Sequence, residues 1–131
     1  MKKTIQLFTA AIAMLLLSSF IPKPNTAAEP MYYVVSAEVC STYGKKTPKI
    51  ISNVVYVNCK YHGLSMVGNQ FREYYIAYNK KKDYKNICTV RTESYKTKDQ
   101  AEKRRREVIA LNSDNNFETL FIERFSVLCD D

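Results

Sequence analysis

The chain has 131 residues, with 20 lysines and arginines against 13 aspartates and glutamates, so its formal net charge is +7. This length allows one domain and is too short for two. A mild positive excess usually serves solubility, so it does not indicate a specific nucleic-acid partner.

A basic start followed by an apolar run opens the chain. Met1–Lys3 carries two lysines, residues 5–21 are nearly all apolar, and Ala27 and Ala28 are small. This order is typical of a secretory signal peptide, and we expect cleavage after Ala28. An uncleaved anchor is the alternative, because the 17 residues of the apolar run lie at the short limit of a membrane span. Residues 29–131 then form one periplasmic or extracellular domain. Its net charge is +4, because cleavage of the signal peptide removes three lysines.

All four cysteines lie after the predicted signal peptide: Cys40, Cys59, Cys88 and Cys129. An even number in a small exported domain predicts two disulfides. Zinc binding is the alternative, but zinc ligands usually come in close pairs, and the gaps here are 19, 29 and 41 residues. We therefore predict no metal site and no cofactor.

Segments rich in β-branched and aromatic residues predict four strands in the first part of the domain. They are Tyr32–Cys40, Ile50–Cys59, Gln70–Tyr78 and Ile87–Tyr95. Asn53 interrupts the apolar face of the second strand, and the composition of the third would also tolerate a helix. The segments between them are polar or contain glycine and proline, which predicts turns.

Thr97–Asn112 is the one segment with convincing helical periodicity. Thr97 is placed to cap its first turn, with Gln100 three residues later. Glu118–Leu128 alternates again and predicts a final strand. Short polar turns favour antiparallel neighbours. The sequence therefore predicts an α+β fold of order β-β-β-β-α-β, a small antiparallel sheet with one helix packed on one face and two disulfides.

Strand directions predict how the cysteines pair. In an up-and-down meander, Cys40 and Cys88 lie at one end of the sheet, and Cys59 and Cys129 lie at the other. A disulfide needs Cα atoms within about 7 Å, whereas a nine-residue strand spans roughly 30 Å. We therefore predict the pairs Cys40–Cys88 and Cys59–Cys129.

No motif predicts catalysis. His62 is the only histidine. It lies in a Tyr-His-Gly turn with no nucleophile motif nearby, which favours a surface position without a role. Glu38, Glu73 and Glu93 could converge as an acid–base pair, but nothing in the sequence sets their separation. We expect a protein that is not an enzyme, and the alternative is a small exported hydrolase acting on a glycan or polyanionic substrate.

Basic and aromatic residues meet around one turn. They are Tyr74, Tyr78, Lys80, Lys81, Lys82, Tyr84 and Lys85. Such a combination can bind phosphates, polysaccharide or an acidic protein. The alternative is that the lysines at this hairpin turn only prevent unwanted pairing with other chains. Arg104 and Arg105 fall at the edges of the helix's apolar arc, where we expect their stems to pack and their charges to reach solvent.

Ten tyrosines and no tryptophan are an unusual aromatic balance. Tyrosines in several strands could line an open sheet face, and exposed tyrosines are enriched at interfaces. We therefore expect a non-enzymatic exported binding domain that presents a tyrosine-rich, mildly basic sheet face to a macromolecular partner. That partner would be a protein or a cell-envelope glycan, with no membrane span in the mature chain. An inhibitor or immunity-type protein is a further alternative.

Overall fold

The computed structural model describes residues 27–40, 46–79 and 86–130. The predicted signal peptide lies outside the described residues except for Ala27 and Ala28. Five residues of the predicted binding surface also lie outside them: Lys80, Lys81, Lys82, Tyr84 and Lys85. Within the described ranges, no helix has the length and apolar character needed to cross a membrane.

Five strands and two helices make up the described part of the chain. The strands are β1 (Met31–Val39), β2 (Lys49–Ser52), β3 (Val55–Val57), β4 (Ile87–Tyr95) and β5 (Thr119–Ile122). The helices are α1 (Leu64–Tyr78), between β3 and β4, and α2 (Lys98–Asp114), between β4 and β5. The predicted α+β class is therefore confirmed, with one more helix than predicted.

The central strand is β1. It pairs antiparallel with β4 on one side and, on the other, with β3 near its start and β2 near its end. β2 and β3 are two halves of the predicted second strand, which is interrupted at Asn53. Because β5 pairs parallel with β2, the sheet is mixed and the prediction of an antiparallel meander is wrong.

The prediction of a third strand at Gln70–Tyr78 is also wrong, because this segment is the second half of α1. Val67, Phe71 and Tyr75 are four residues apart and are all fully buried. This spacing belongs to one face of a helix. It was hidden in the sequence because the tyrosines in this segment also favour strands.

The two helices cover opposite faces of the sheet. Tyr33, Val35 and Ala37 of β1 belong to the larger core cluster, together with the buried residues of α1. Val34 and Ile51 face the other way and pack with Ala101 of α2. The prediction of one helix on one face is therefore wrong.

The predicted cap of α2 is confirmed. The Thr97 hydroxyl accepts a hydrogen bond from the Gln100 backbone N–H at 3.3 Å. This bond satisfies one of the N–H groups that the first turn of a helix leaves without a partner. The helix therefore begins where its sequence predicts.

Both predicted disulfides are confirmed. The Cα atoms of Cys40 and Cys88 are 4.9 Å apart, and those of Cys59 and Cys129 are 5.3 Å apart. Their pairing needs only that successive elements alternate in direction. Because α1 returns the chain as the expected strand would have done, the alternation is kept.

The last predicted strand is shorter than expected, since only Thr119–Ile122 forms strand pairs. Beyond it, two side-chain amides take the place of a neighbouring strand. Asn53 accepts a hydrogen bond from the Phe125 N–H at 3.0 Å and donates one to its carbonyl at 3.1 Å. Gln70 binds the Leu128 backbone in the same reciprocal way, at 2.8 and 2.9 Å. These bonds and the Cys59–Cys129 disulfide anchor the end of the chain.

Candidate functional site

Three tyrosines form a row across neighbouring strands on the face that α2 covers in part. Tyr32 of β1 lies opposite Tyr56 of β3 on one side and opposite Tyr95 of β4 on the other. The Tyr32 and Tyr56 ring centroids are 5.1 Å apart. We call Tyr56, Tyr32 and Tyr95 the tyrosine row. Tyr56 is 55% exposed, and Tyr61, in the loop after β3, is 58% exposed.

Four other tyrosines of the described ranges lie in the core or on a second surface. Tyr33 and Tyr75 are buried on the α1 side. The expected open sheet face is therefore reduced to the part of the α2 side that carries the row. Tyr74 is half-buried against Phe125, with ring centroids 5.6 Å apart.

Positive charge lies at the Tyr95 end of the tyrosine row. Tyr95 lines a depression of about 490 Å³ together with Lys96, Lys103 and Arg104 and a single carboxylate, that of Glu107. In the loop after β3, Lys60 Nζ is 5.3 Å from the centroid of the Tyr61 ring. The row and this depression therefore bring aromatic and basic side chains together on one face of the sheet.

Glu93 fixes the position of Tyr95. The Tyr95 hydroxyl donates a hydrogen bond to Glu93 Oε2 at 2.6 Å. The Arg104 guanidinium binds both oxygens of the same carboxylate, at 2.6 and 3.1 Å, and Arg91 Nε lies 3.0 Å from Oε1. Because Glu93 and Tyr95 are two residues apart in β4, they share one face of the strand.

These contacts keep Glu93 ionised and Tyr95 neutral at neutral pH. The Arg104 hydrogen bonds, aided by Tyr95 and by the nearby cations, lower the pKa of Glu93 to about 2. Burial and the hydrogen bond to Glu93 raise the pKa of Tyr95 to about 12. A carboxylate so strongly ionised is a poor general acid or base near pH 7. Arg104 thus uses its charge to bind Glu93, which the sequence did not predict.

His62 has a structural role, whereas the sequence predicts a surface residue without a role. Its Nδ1 lies 2.7 Å from the Tyr33 hydroxyl, and its Nε2 lies 2.9 Å from the Glu29 carbonyl oxygen. Since a carbonyl can only accept, Nε2 donates to it, and in the neutral ring Nδ1 then accepts from the Tyr33 hydroxyl. The ring thereby ties the residues before β1 to the loop after β3.

Two of the three candidate carboxylates lie on one face of the sheet, but both are bound to cations. Glu38 and Glu93 line one depression of about 360 Å³, with backbone positions about 13 Å apart along the strands. Glu38 is bound to Lys49 at 2.6 Å, and Glu93 is bound to Arg104 at 2.6 Å. Glu73 is exposed on α1, and His62 contacts Tyr33 on the opposite face of the sheet, so neither completes an acid–base pair with them.

Of the predicted basic and aromatic surface, the structure describes Tyr74 and Tyr78. Their rings are nearly parallel, at 9°, with centroids 6.3 Å apart. They line a depression of about 310 Å³ beside residues 121–124. This surface lies at the C-terminal end of α1, far from the tyrosine row, and its lysines lie outside the described residues.

Comparison with protein-family models, with curated proteins and with solved structures finds no match for this chain. Its function has to be inferred from geometry. The tyrosine row itself was not recognisable in the sequence, because its members come from three separate strands. The one local signal was the spacing of Glu93 and Tyr95, which places both side chains on the same face of β4.

Proposed function

We propose that this protein is an exported, non-enzymatic binding domain that engages a macromolecular partner through the tyrosine row. The observation that carries the proposal is the alignment of Tyr56, Tyr32 and Tyr95 across three adjacent strands, with Tyr56 largely exposed. Tyrosine supplies a large, rigid contact area at low entropic cost, and it is enriched in interfaces.

The surroundings of the row support this function and bear on the partner. Lys96 and Lys103 line the depression beside Tyr95, so a protein or cell-envelope glycan with acidic groups fits the row best. Glu38 and Glu93 are bound to cations, and His62 lies on the other face of the sheet, which favours binding over hydrolysis. Export is supported by the charged and apolar start of the chain and by the two disulfides.

Pull-down from envelope fractions and culture supernatant, followed by glycan and protein arrays, tests the proposal with the purified disulfide-bonded protein. We expect Tyr56→Ser to weaken binding at least about tenfold, because aromatic anchors dominate binding energies. Tyr78→Ser is the matched control, since Tyr78 is similarly exposed, at 61%, on the other surface.

Two results would contradict the proposal. One is that no partner remains bound at moderate salt and no array gives a signal. The other is that Tyr78→Ser abolishes binding while Tyr56→Ser leaves it intact. That result would place the partner on the basic and aromatic surface around Tyr74 and Tyr78.

A further inference from the structure

The outer edge of β4 is a long, open backbone edge. β4 has nine residues and, within the described ranges, pairs only with β1, whereas β5 at the opposite edge has four. Unpaired N–H and C=O groups along such an edge can template a further strand, and proteins usually block them. The parts of this edge that are blocked therefore indicate which part remains available.

One hydrogen bond shows which residues of β4 point outward. The Val35 N–H donates to Ser52 Oγ at 2.9 Å, so it points towards β2 and away from β4. Val35 lies opposite Thr92, and in an antiparallel pair opposite residues direct their backbone groups either both inward or both outward. Thr92 therefore points its N–H and C=O away from β1. By alternation, Val90 and Ser94 do the same.

The first part of the edge is blocked. The pairing with β1 shifts at Glu38 and Val39, which gives β4 an irregularity around Cys88, and Cys88 is itself held in a disulfide. Arg72 Nη1 donates to the Ile87 carbonyl at 2.9 Å. Three outward residues, Val90, Thr92 and Ser94, follow this blocked part.

We propose that a second copy of this chain pairs antiparallel with this edge, about a twofold axis at Thr92. In this register, Thr92 pairs with its counterpart and each Val90 pairs with the Ser94 of the other copy. Each of these three pairs exchanges two backbone hydrogen bonds, so six join the copies. The same patch serves both copies, as a twofold interface requires.

Charge selects this register over its neighbours. With the axis at Thr92, each Arg91 lies directly opposite the Glu93 of the other copy, in the closely spaced type of pair. An axis at Val90 or Ser94 keeps the backbone bonding but separates these charges. An axis at Arg91 or Glu93 also keeps outward residues paired, but it sets two arginines or two glutamates directly opposite each other, which is unfavourable. Arg91 lies 3.0 Å from the Glu93 of its own chain, but its side chain is 70% exposed and can also reach the Glu93 of the other copy.

The dimer goes beyond the proposed function and does not depend on it. Each Tyr95 lies three residues from the axis, so the two copies of Tyr95 would be roughly 20 Å apart on one face of a continuous sheet. A partner with repeated groups could then bind both rows, which raises its apparent affinity.

Sedimentation equilibrium of the full disulfide-bonded protein, without any partner, tests the dimer, and amide exchange measured by NMR locates it. We expect concentration-dependent dimerisation. The amides of Val90, Thr92 and Ser94 should exchange more slowly as the protein concentration rises. Those of Arg91 and Glu93 should not change, because they already bond β1.

Two variants and their controls test the register. Arg91→Glu places like charges opposite each other twice and should raise the dimer dissociation constant roughly tenfold or more. Arg106→Glu makes the same charge change at an exposed site on α2 and should not change it. Ser94→Pro removes an outward N–H that β1 does not use, so the fold should survive while dimerisation is lost. Ser94→Ala should dimerise normally.

The proposal is overturned if the protein stays monomeric at all concentrations and the three outward amides exchange at one rate throughout. It is also overturned if a dimer forms that Arg91→Glu and Ser94→Pro leave intact. Tyr56→Ser should leave the dimer unchanged, so failure of the binding function and failure of the dimer can be told apart.

Discussion

Glu93→Gln should remove a pH-dependent part of the protein's stability. The pKa of Glu93 is lowered from 4.5 to about 2 in the folded protein, chiefly by the hydrogen bonds from Arg104. At about 1.4 kcal/mol per pKa unit, the contribution of this shift to stability is at most about 3.5 kcal/mol. The side chains of Glu93 and Arg104 are 21% and 30% exposed, so solvent screening reduces the expected contribution to about 1–2 kcal/mol.

The direction of the pH dependence follows from the lowered pKa. Because folding favours the ionised carboxylate, this stability is fully present above about pH 4.5 and is lost as the pH falls towards 2. The wild-type protein should therefore be more stable than Glu93→Gln at pH 7, and the difference should shrink towards zero near pH 2.

Urea unfolding followed by circular dichroism at several pH values between 7 and 2 measures this difference. Glu123→Gln is the control, since Glu123 binds Arg105 at 2.8 Å but is 61% exposed. It should change the free energy of unfolding by less than about 1 kcal/mol. A difference between wild type and Glu93→Gln that is equal at pH 7 and pH 2 would refute the reasoning.

Three further predictions follow from the packing. Peptide mapping of the unreduced protein should recover the Cys40–Cys88 and Cys59–Cys129 links, and a Cys40–Cys59 link would contradict the strand directions. Reduction should cost about 4 kcal/mol per disulfide, because the bonds join residues 48 and 70 positions apart. Gly68→Ala should destabilise the protein by about 1–3 kcal/mol in urea unfolding, because a Cβ would lie 2.8 Å from Thr92 Oγ1. In a Thr92→Ala background the better helix propensity of alanine should prevail instead, and equal effects in both backgrounds would refute the close approach. Asn53→Ala should cost about 2–3 kcal/mol and speed the exchange of the Phe125 amide, and unchanged exchange would show that the amide has another acceptor.

The error at α1 shows how one segment can satisfy two local patterns. Gly68 lies in the segment between the second and third predicted strands, where the sequence predicts a turn because glycine is a common sign of one. In the structure it lies inside α1 and allows the helix to approach β4. Neither the glycine nor the neighbouring tyrosines reveal this locally, because the decisive contact is with Thr92, far along the chain.

The sequence by itself determined the features that depend on local pattern and on the alternation of direction. These features are the α2 helix with its Thr97 cap, the strands β1 and β4, and the disulfide pairs Cys40–Cys88 and Cys59–Cys129. The cysteine pairing was correct although one strand was a helix. This is because α1 runs in the direction predicted for that strand, so the chain reaches the same end of the sheet in both cases.

Only the tertiary structure decided which side chains share a surface and are available for binding or chemistry. Tyr32 and Tyr33 are neighbours in sequence, yet one joins the tyrosine row and the other is buried on the opposite face. The sequence offers Glu93 as one of three candidate acid–base carboxylates, and in the structure it is bound by Arg104 and Tyr95. Strand register and the packing of each helix create these relations between residues far apart in the chain. No local periodicity encodes register, because it depends on which strands meet and at which residue.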